Sequence, residues 1–315
     1  MATLQTSILQ TLAYFDIFSY PLTLHELHRF LWQPTASASI GDMLSEVETL
    51  KQNNQILEQS GYFLLPGREE IIRRRQRAIP FLEEKLHRAK KAIRKLRFLP
   101  FIQAVFLCNT VAVSVVKKDS DIDVLIVVRR NRLWITRFLV TALLSVSRER
   151  RTKRTVANRI CLSFYLTDDH LNISDITLVD EDIYLHYWIT QLIPLYERTT
   201  IGDRIHQENQ WVRQTLPYAF QPFLLLPRYR VIDSSISRPW AVFWEKLWGT
   251  GYGTMIEQQA KAIQRKKMER NYGSLQDAPD TRVVINDTML KFHENDRRAQ
   301  YRDQWKETID KLLHC

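Results

Sequence analysis

Phe106-Leu107-Cys108-Asn109-Thr110, then ten residues, then Asp121-Ile122-Asp123-Val124-Leu125-Ile126-Val127-Val128: the fold turns on the reading of this stretch. The apolar run from Val124 to Val128 predicts a buried strand, and residues 101–107 predict a second one before it. Side chains alternate across a strand. Asp121 and Asp123 therefore share one face, while Ile122 and Val124 point into the core. Two carboxylates so close repel each other, and ionising both is costly. Such a pair calls for a cation between them. Magnesium, which takes one or two carboxylates and completes its shell with water and phosphate, suits them.

Working outward, residues 133–147 predict a helix and Ile160 to Leu166 a third strand. That strand has no carboxylate. Ser163 is the polar side chain near its middle, and Asp168 and Asp169 follow at its end, where Asp-Asp usually marks a turn. The basic loop Arg148 to Arg154 lies between helix and strand. Helices are expected near 181–192 and 203–215. A Pro-rich crossing segment, with Pro217, Pro222, Pro227 and Pro239, spans 216–240. A helix from about 241 to 270, interrupted at 249–253, a short strand at 281–285 and a helix at 297–313 complete the chain. His293, in Leu290-Lys291-Phe292-His293-Glu294-Asn295-Asp296, reads as part of a surface turn.

Upstream, Leu4, Ile8, Leu9, Leu12 and Phe15 recur at helical spacing. Thr23-Leu24-His25-Glu26 has the pattern of a capping box opening a second helix. A third helix spans 40–53, and Ser60-Gly61 makes a two-residue hairpin turn. Three helices and a hairpin resemble a winged helix-turn-helix. The third helix carries Asp42, Glu46 and Glu48 against Lys51, a poor balance for reading a nucleic-acid groove. A long helix at 68–97 follows, with an apolar stripe that includes Ile79, Leu82, Leu86 and Ile93, and with Pro80 expected to kink or divide it.

Lys and Arg exceed Asp and Glu by ten over 315 residues. Twelve basic against four acidic side chains between Arg68 and Arg97 supply most of that excess. This helix is read as a packed connector with a solvated cationic face. A surface for RNA or phosphate is the other reading. Cys108, Cys161 and Cys315 are odd in number and widely spaced, so neither a disulfide framework nor a zinc site is expected. With no signal-peptide pattern and no apolar run of membrane-spanning length, a cytoplasmic protein with no membrane partner is expected.

The Asn109-Thr110 step, the spacer and Ser120-Asp121-Ile122-Asp123 before an apolar strand resemble the DNA polymerase beta-like nucleotidyltransferase superfamily over roughly residues 100–170. The resemblance implies an α+β fold. A small mixed-sheet core at 100–180 would be flanked by a winged-helix-like module at 1–66, a basic linker helix at 67–99 and a mostly helical region at 181–315. It implies transfer of a nucleoside monophosphate from a nucleoside triphosphate to an acceptor, with pyrophosphate released. Asp121 and Asp123 would be catalytic and hold Mg2+. Asn109, Thr110, Ser120 and Lys118 would attend the phosphates. Asn109-Thr110 departs from the family's Gly and Gly or Ser. Asn tolerates the left-handed backbone that Gly provides, and Thr keeps a hydroxyl. The family's third carboxylate, usually on the next strand, has no counterpart in Ile160 to Leu166. A catalytically weakened nucleotide-binding or interaction protein is the alternative, and a nucleic-acid-binding regulator is a third reading.

Overall fold

The fold is that of a computed structural model, which describes residues 3–34, 37–112, 116–220, 225–276 and 280–314. Residues 113–115 of the spacer, Pro222 and Cys315 lie outside the described residues. The chain is α+β, built around a six-stranded mixed sheet.

Three helices come first: α1 (Leu4–Ile17), α2 (Leu24–Arg29) and α3 (Ile40–Gln52). The capping box forms as expected. Thr23 accepts from the Glu26 amide, and the Glu26 carboxylate accepts from the Thr23 amide. Strands β1 (Leu57–Gln59) and β2 (Tyr62–Leu64) pair through Ser60 and Gly61, whose φ values of 54° and 76° are those of a tight hairpin turn.

Helix α4 (Glu70–Leu96) runs unbroken past Pro80, so the expected division there does not occur. Many of its cations are engaged within the protein. Arg75 pairs with Glu26 and lies over Tyr20, and Lys95 pairs with Glu149. Arg73, Arg77, Lys91 and Arg94 are exposed.

The sheet follows. Strand β3 (Ile102–Leu107) and the short helix α5 (Asn109–Ala112) precede β4 (Ile122–Val128), which leads into α6 (Leu133–Val146) and then β5 (Ile160–Thr167). Beyond residue 180 lie α7 (Ile183–Thr190), β6 (Ile193–Glu197) and α8 (Ile201–Glu208). Next come α9 (Ser237–Leu247) and α10 (Gly251–Gln276), then β7 (Val283–Ile285), β8 (Met289–Phe292) and α11 (Arg298–Leu313). Strand order is β6-β3-β4-β5-β8-β7, with β4 and β5 parallel and the other pairs antiparallel.

The sheet does not stop at residue 180: β6, β7 and β8 all come from the region expected to be mostly helical. β6 contains Pro194, which removes a ladder donor, and it sits at the sheet's edge, where that loss is tolerated. Helix α9 begins at Ser237, earlier than expected. Pro239 falls in its first turn, where its missing N–H has no intrahelical partner to lose. At the α9–α10 corner, a Cβ on Gly253 would lie 1.8 Å from the Trp248 carbonyl oxygen, so no other residue fits this approach.

Both faces of the sheet are covered. Leu125, Val127 and Phe164 pack in one core with the N-terminal helices, α7 and α11, including Trp32, Tyr187 and Trp305. Val124, Ile126 and Tyr165 face the other way, into a core with α4 and α6. Asp123 shares a face with Leu125, and this determines what surrounds it.

Candidate functional site

The loop before β4 is tied down from three sides. The buried Lys85 of α4 donates through Nζ to the Ser120 carbonyl at 2.6 Å and to Asn158 Oδ1 at 2.9 Å. The Asn158 amide also donates to the Ser120 carbonyl, and the Ile122 amide donates to Arg159. Asp121 is held at the mouth of the strand between these anchors.

Asp123 lies one pleat further in. Its backbone carbonyl accepts from the Cys108 amide, and across the parallel pair it stands opposite Cys161. One ligand atom each from Asp121, Asp123 and Cys161 fall within 4.8 Å of one another. Burial first, and the charge of Asp121 second, push the Asp123 carboxyl up to about 6. Burial pushes the Cys161 thiol up to about 12, so it is protonated at neutral pH. Arg151, from the basic loop, reaches Asp121 with Nε at 2.9 Å and Cys161 Sγ with Nη1 at 3.6 Å.

Asn109 has a φ of 53°, the left-handed conformation expected of it. Its side-chain oxygen accepts from Trp188 Nε1 at 2.8 Å and from the Tyr184 hydroxyl at 3.3 Å. Asn109 also lies beside Asp123, where it offsets part of the upward push of burial on that carboxyl. Thr110 Oγ1 is buried without a hydrogen-bond partner among the described residues. Asn109, Thr110 and Asp123 all line a cavity of about 240 Å³. Phe164, Tyr184, Trp188 and Tyr301 form its aromatic walls, with Tyr184 stacked on Tyr301 at 5.6 Å.

The last wall overturns an expectation. Lys291 and His293 are not on a surface turn, because β8 carries Lys291 into the sheet beside Phe164. Lys291 is buried and pairs with Asp296 at 2.9 Å. Arg298 joins Asp296 to Asp182, 2.6 Å away, and Asp182 in turn caps α7 through the Leu185 amide. Burial would raise Asp296, but the hydrogen bonds and charges of Arg298 and Lys291 outweigh it and hold the carboxyl well below its ordinary range. Burial lowers His293 to about 4, so the ring is neutral, and its Nδ1 has no partner among the described residues.

The other expected residues are placed less favourably. Ser120 sits beside the pair, but its hydroxyl donates to the Lys117 carbonyl at 3.1 Å within the turn. Lys118 is exposed on that turn and is not among the cavity's lining residues. Asp168 is at the far end of β5, with its amide on Val128 and its carboxylate accepting from Arg130, so it is no third acid for the pair. A larger cavity, about 520 Å³, opens beside β6 and α8 and contains neither Asp121 nor Asp123.

Two carboxylates with hard oxygens fit one magnesium ion bound jointly with phosphate. The third position fits it poorly, since a protonated thiol is a soft and weak partner for magnesium. Cys161, Asp182 and Arg298 were not legible as site residues in the sequence, and the stretch around Lys291, which could have met a phosphate, reads there as a surface turn. Compared with known proteins, the chain matches no family model, no curated protein and no solved structure.

Proposed function

We propose that this chain binds a nucleoside triphosphate with magnesium at Asp121 and Asp123, as a protein of the nucleotidyltransferase type whose transfer step is weakened. The supporting observation is that ligand atoms of Asp121, Asp123 and Cys161 lie within 4.8 Å of one another, and that of the three Asp123 lines the cavity, together with Asn109 and Thr110. Bound there, magnesium would neutralise charge on the phosphate oxygens. The residues of this chain do the rest. Asp121 and Asp123 supply the anionic oxygens, Asn109 lines the cavity beside Asp123, and Thr110 offers its hydroxyl to a phosphate oxygen. Arg151 balances Asp121 until a cation arrives. Tyr184, Trp188 and Tyr301 offer flat faces to a base.

Nucleotidyl transfer also requires a group to take the proton of the acceptor hydroxyl. In the resembled family that position is a carboxylate. Here it is a thiol whose own proton is held tightly, so transfer loses its base. The N-terminal helices and hairpin, read as a winged-helix-like module, act in this account as scaffold. Their side chains are spent on the shared core, and α3 is acidic. The free thiols Cys108 and Cys161 suit a reducing, cytoplasmic setting.

Equilibrium dialysis with ATP, GTP, CTP and UTP, with and without magnesium, tests binding. Pyrophosphate release with a pool of hydroxyl acceptors tests transfer. Magnesium-dependent binding with little release is expected. Rapid release would restore the active nucleotidyltransferase, and no binding of any triphosphate would end both readings.

A further inference from the structure

Helix α9 is turned inside out. Ile236, Trp240, Phe243 and Leu247 fall at helical spacing on one face, and they are 71%, 51%, 57% and 47% exposed. The face turned into the protein is small and polar: Ser237, Ala241 and Glu245. Glu245 fixes this orientation. It accepts from the Phe101 amide at 3.0 Å and from Arg198 at 2.7 Å, and it pairs with Arg129. Ser237 is bonded to Asp233 and Ser234. A helix free to rotate would bury its aromatic side, so the polar seam holds the apolar face in water. Tyr252 and Met255, near the start of α10, are exposed as well.

The exposed charges of residues 228–270 are mostly of one sign, while two exposed acids of neighbouring elements, Glu83 and Asp287, are paired with Arg228 and Lys261. Arg230, Arg238, Lys246, Lys266 and Lys267 are exposed. The acids of residues 228–270 are mostly turned away. Asp233 is bound by Tyr196, Glu245 by Arg198, and Glu257 caps the Trp134 and Ile135 amides of α6. Only Glu269 of this stretch is exposed. Like charges would oppose each other across a twofold pairing of two copies. They are complementary to an anionic surface. Side chains this exposed stand out from a ridge rather than line a groove, which suits insertion among headgroups.

We propose that the outer face of α9 and the start of α10 dock on an anionic lipid surface. Trp240, Phe243, Ile236 and Leu247 enter the headgroup boundary, while Arg238 and Lys246 meet the lipid phosphates and carboxylates. This is peripheral attachment. Among the described residues no helix is long and apolar enough to cross a membrane. Glu245 and the sheet end it contacts lie at Phe101 and Arg129, the opposite end of β4 from Asp121, so docking leaves the aspartate cavity open.

Co-sedimentation of the full chain with phosphatidylcholine vesicles, with and without phosphatidylserine, tests this. Sedimentation with the phosphatidylserine vesicles is expected, falling as salt is raised. The double variant Trp240→Ser/Phe243→Ser should lose on the order of tenfold in partitioning. The variant Arg238→Glu/Lys246→Glu should lose a similar factor. Both change exposed side chains, and an unchanged melting temperature verifies their fold. Failure to sediment with either vesicle overturns the proposal, as does equal sedimentation of Trp240→Ser/Phe243→Ser. A dimer in sedimentation velocity that this variant abolishes would assign the face to a second copy and overturn it as well.

Discussion

Cys161 stands directly opposite Asp123 in the parallel register of β4 and β5, and within reach of Asp121. A carboxylate there would complete a three-acid site. The thiol instead leaves two acids, one of which shares its burial with a protonated sulfur.

Replacing that thiol tests the relationship. Cys161→Asp adds a third negative group to an already crowded site, so without divalent cation the melting temperature should fall at neutral pH. Magnesium should restore it by more than it raises the wild type, since a ligand at 100 times its Kd adds about 2.7 kcal/mol. Scanning calorimetry with and without magnesium makes the comparison. Equal responses in the two proteins would mean that the β5 position is outside the cation site.

The Asp123 carboxyl carries a sign that can be measured. Its pKa is raised in the folded chain, so its proton stabilises the fold fully below the ordinary carboxylate range. That contribution is lost as pH rises through about 6. Asp123→Asn removes the loss. The variant should match the wild type near pH 4 and exceed it at pH 8 by up to about 3 kcal/mol. Urea denaturation across that range reads the difference, and a variant less stable than wild type at pH 8 would refute the raised pKa.

Arg298 is the hinge of the charged wall, buried between Asp182 and Asp296. Arg298→Ala leaves the buried Asp182 without its cation and Asp296 with Lys291 alone. A loss of about 3–5 kcal/mol is expected, larger than a surface pair would give. Chemical denaturation is again the readout. A loss below about 1 kcal/mol would place the pair in effectively solvated surroundings.

At Asn109 the backbone and the side chain make separable demands. Asn109→Gly keeps the left-handed conformation and gives up the bonds to Trp188 and Tyr184, at roughly 1–3 kcal/mol. Asn109→Val loses the same bonds and adds a branched side chain at positive φ, costing a further 1–3 kcal/mol or so. If the two variants melt together, the conformation at residue 109 is not the left-handed one.

These residues also explain what the sequence made legible. Alternation alone put Asp121 and Asp123 on one face, and the tolerance of Asn for positive φ anticipated residue 109. Local chemistry likewise gave the Thr23–Glu26 box and the Ser60-Gly61 turn. Long-range features escaped. Cys161 depends on a register that shifts between Asp123 and Leu125, an irregularity without a local signal. Lys291 looked like a surface polar residue because the network that holds its partner Asp296, through Arg298 and Asp182, is drawn from separate elements. Strand β6 was hidden by Pro194, which an edge position tolerates.

The most direct test of the account is electron paramagnetic resonance of Mn2+, standing in for magnesium, titrated into the chain with ATP. A single bound ion that needs both ATP and protein is predicted, lost in Asp121→Asn and in Asp123→Asn. Undiminished binding of the ion and ATP in both variants would contradict the claim that these two aspartates join cation and polyphosphate.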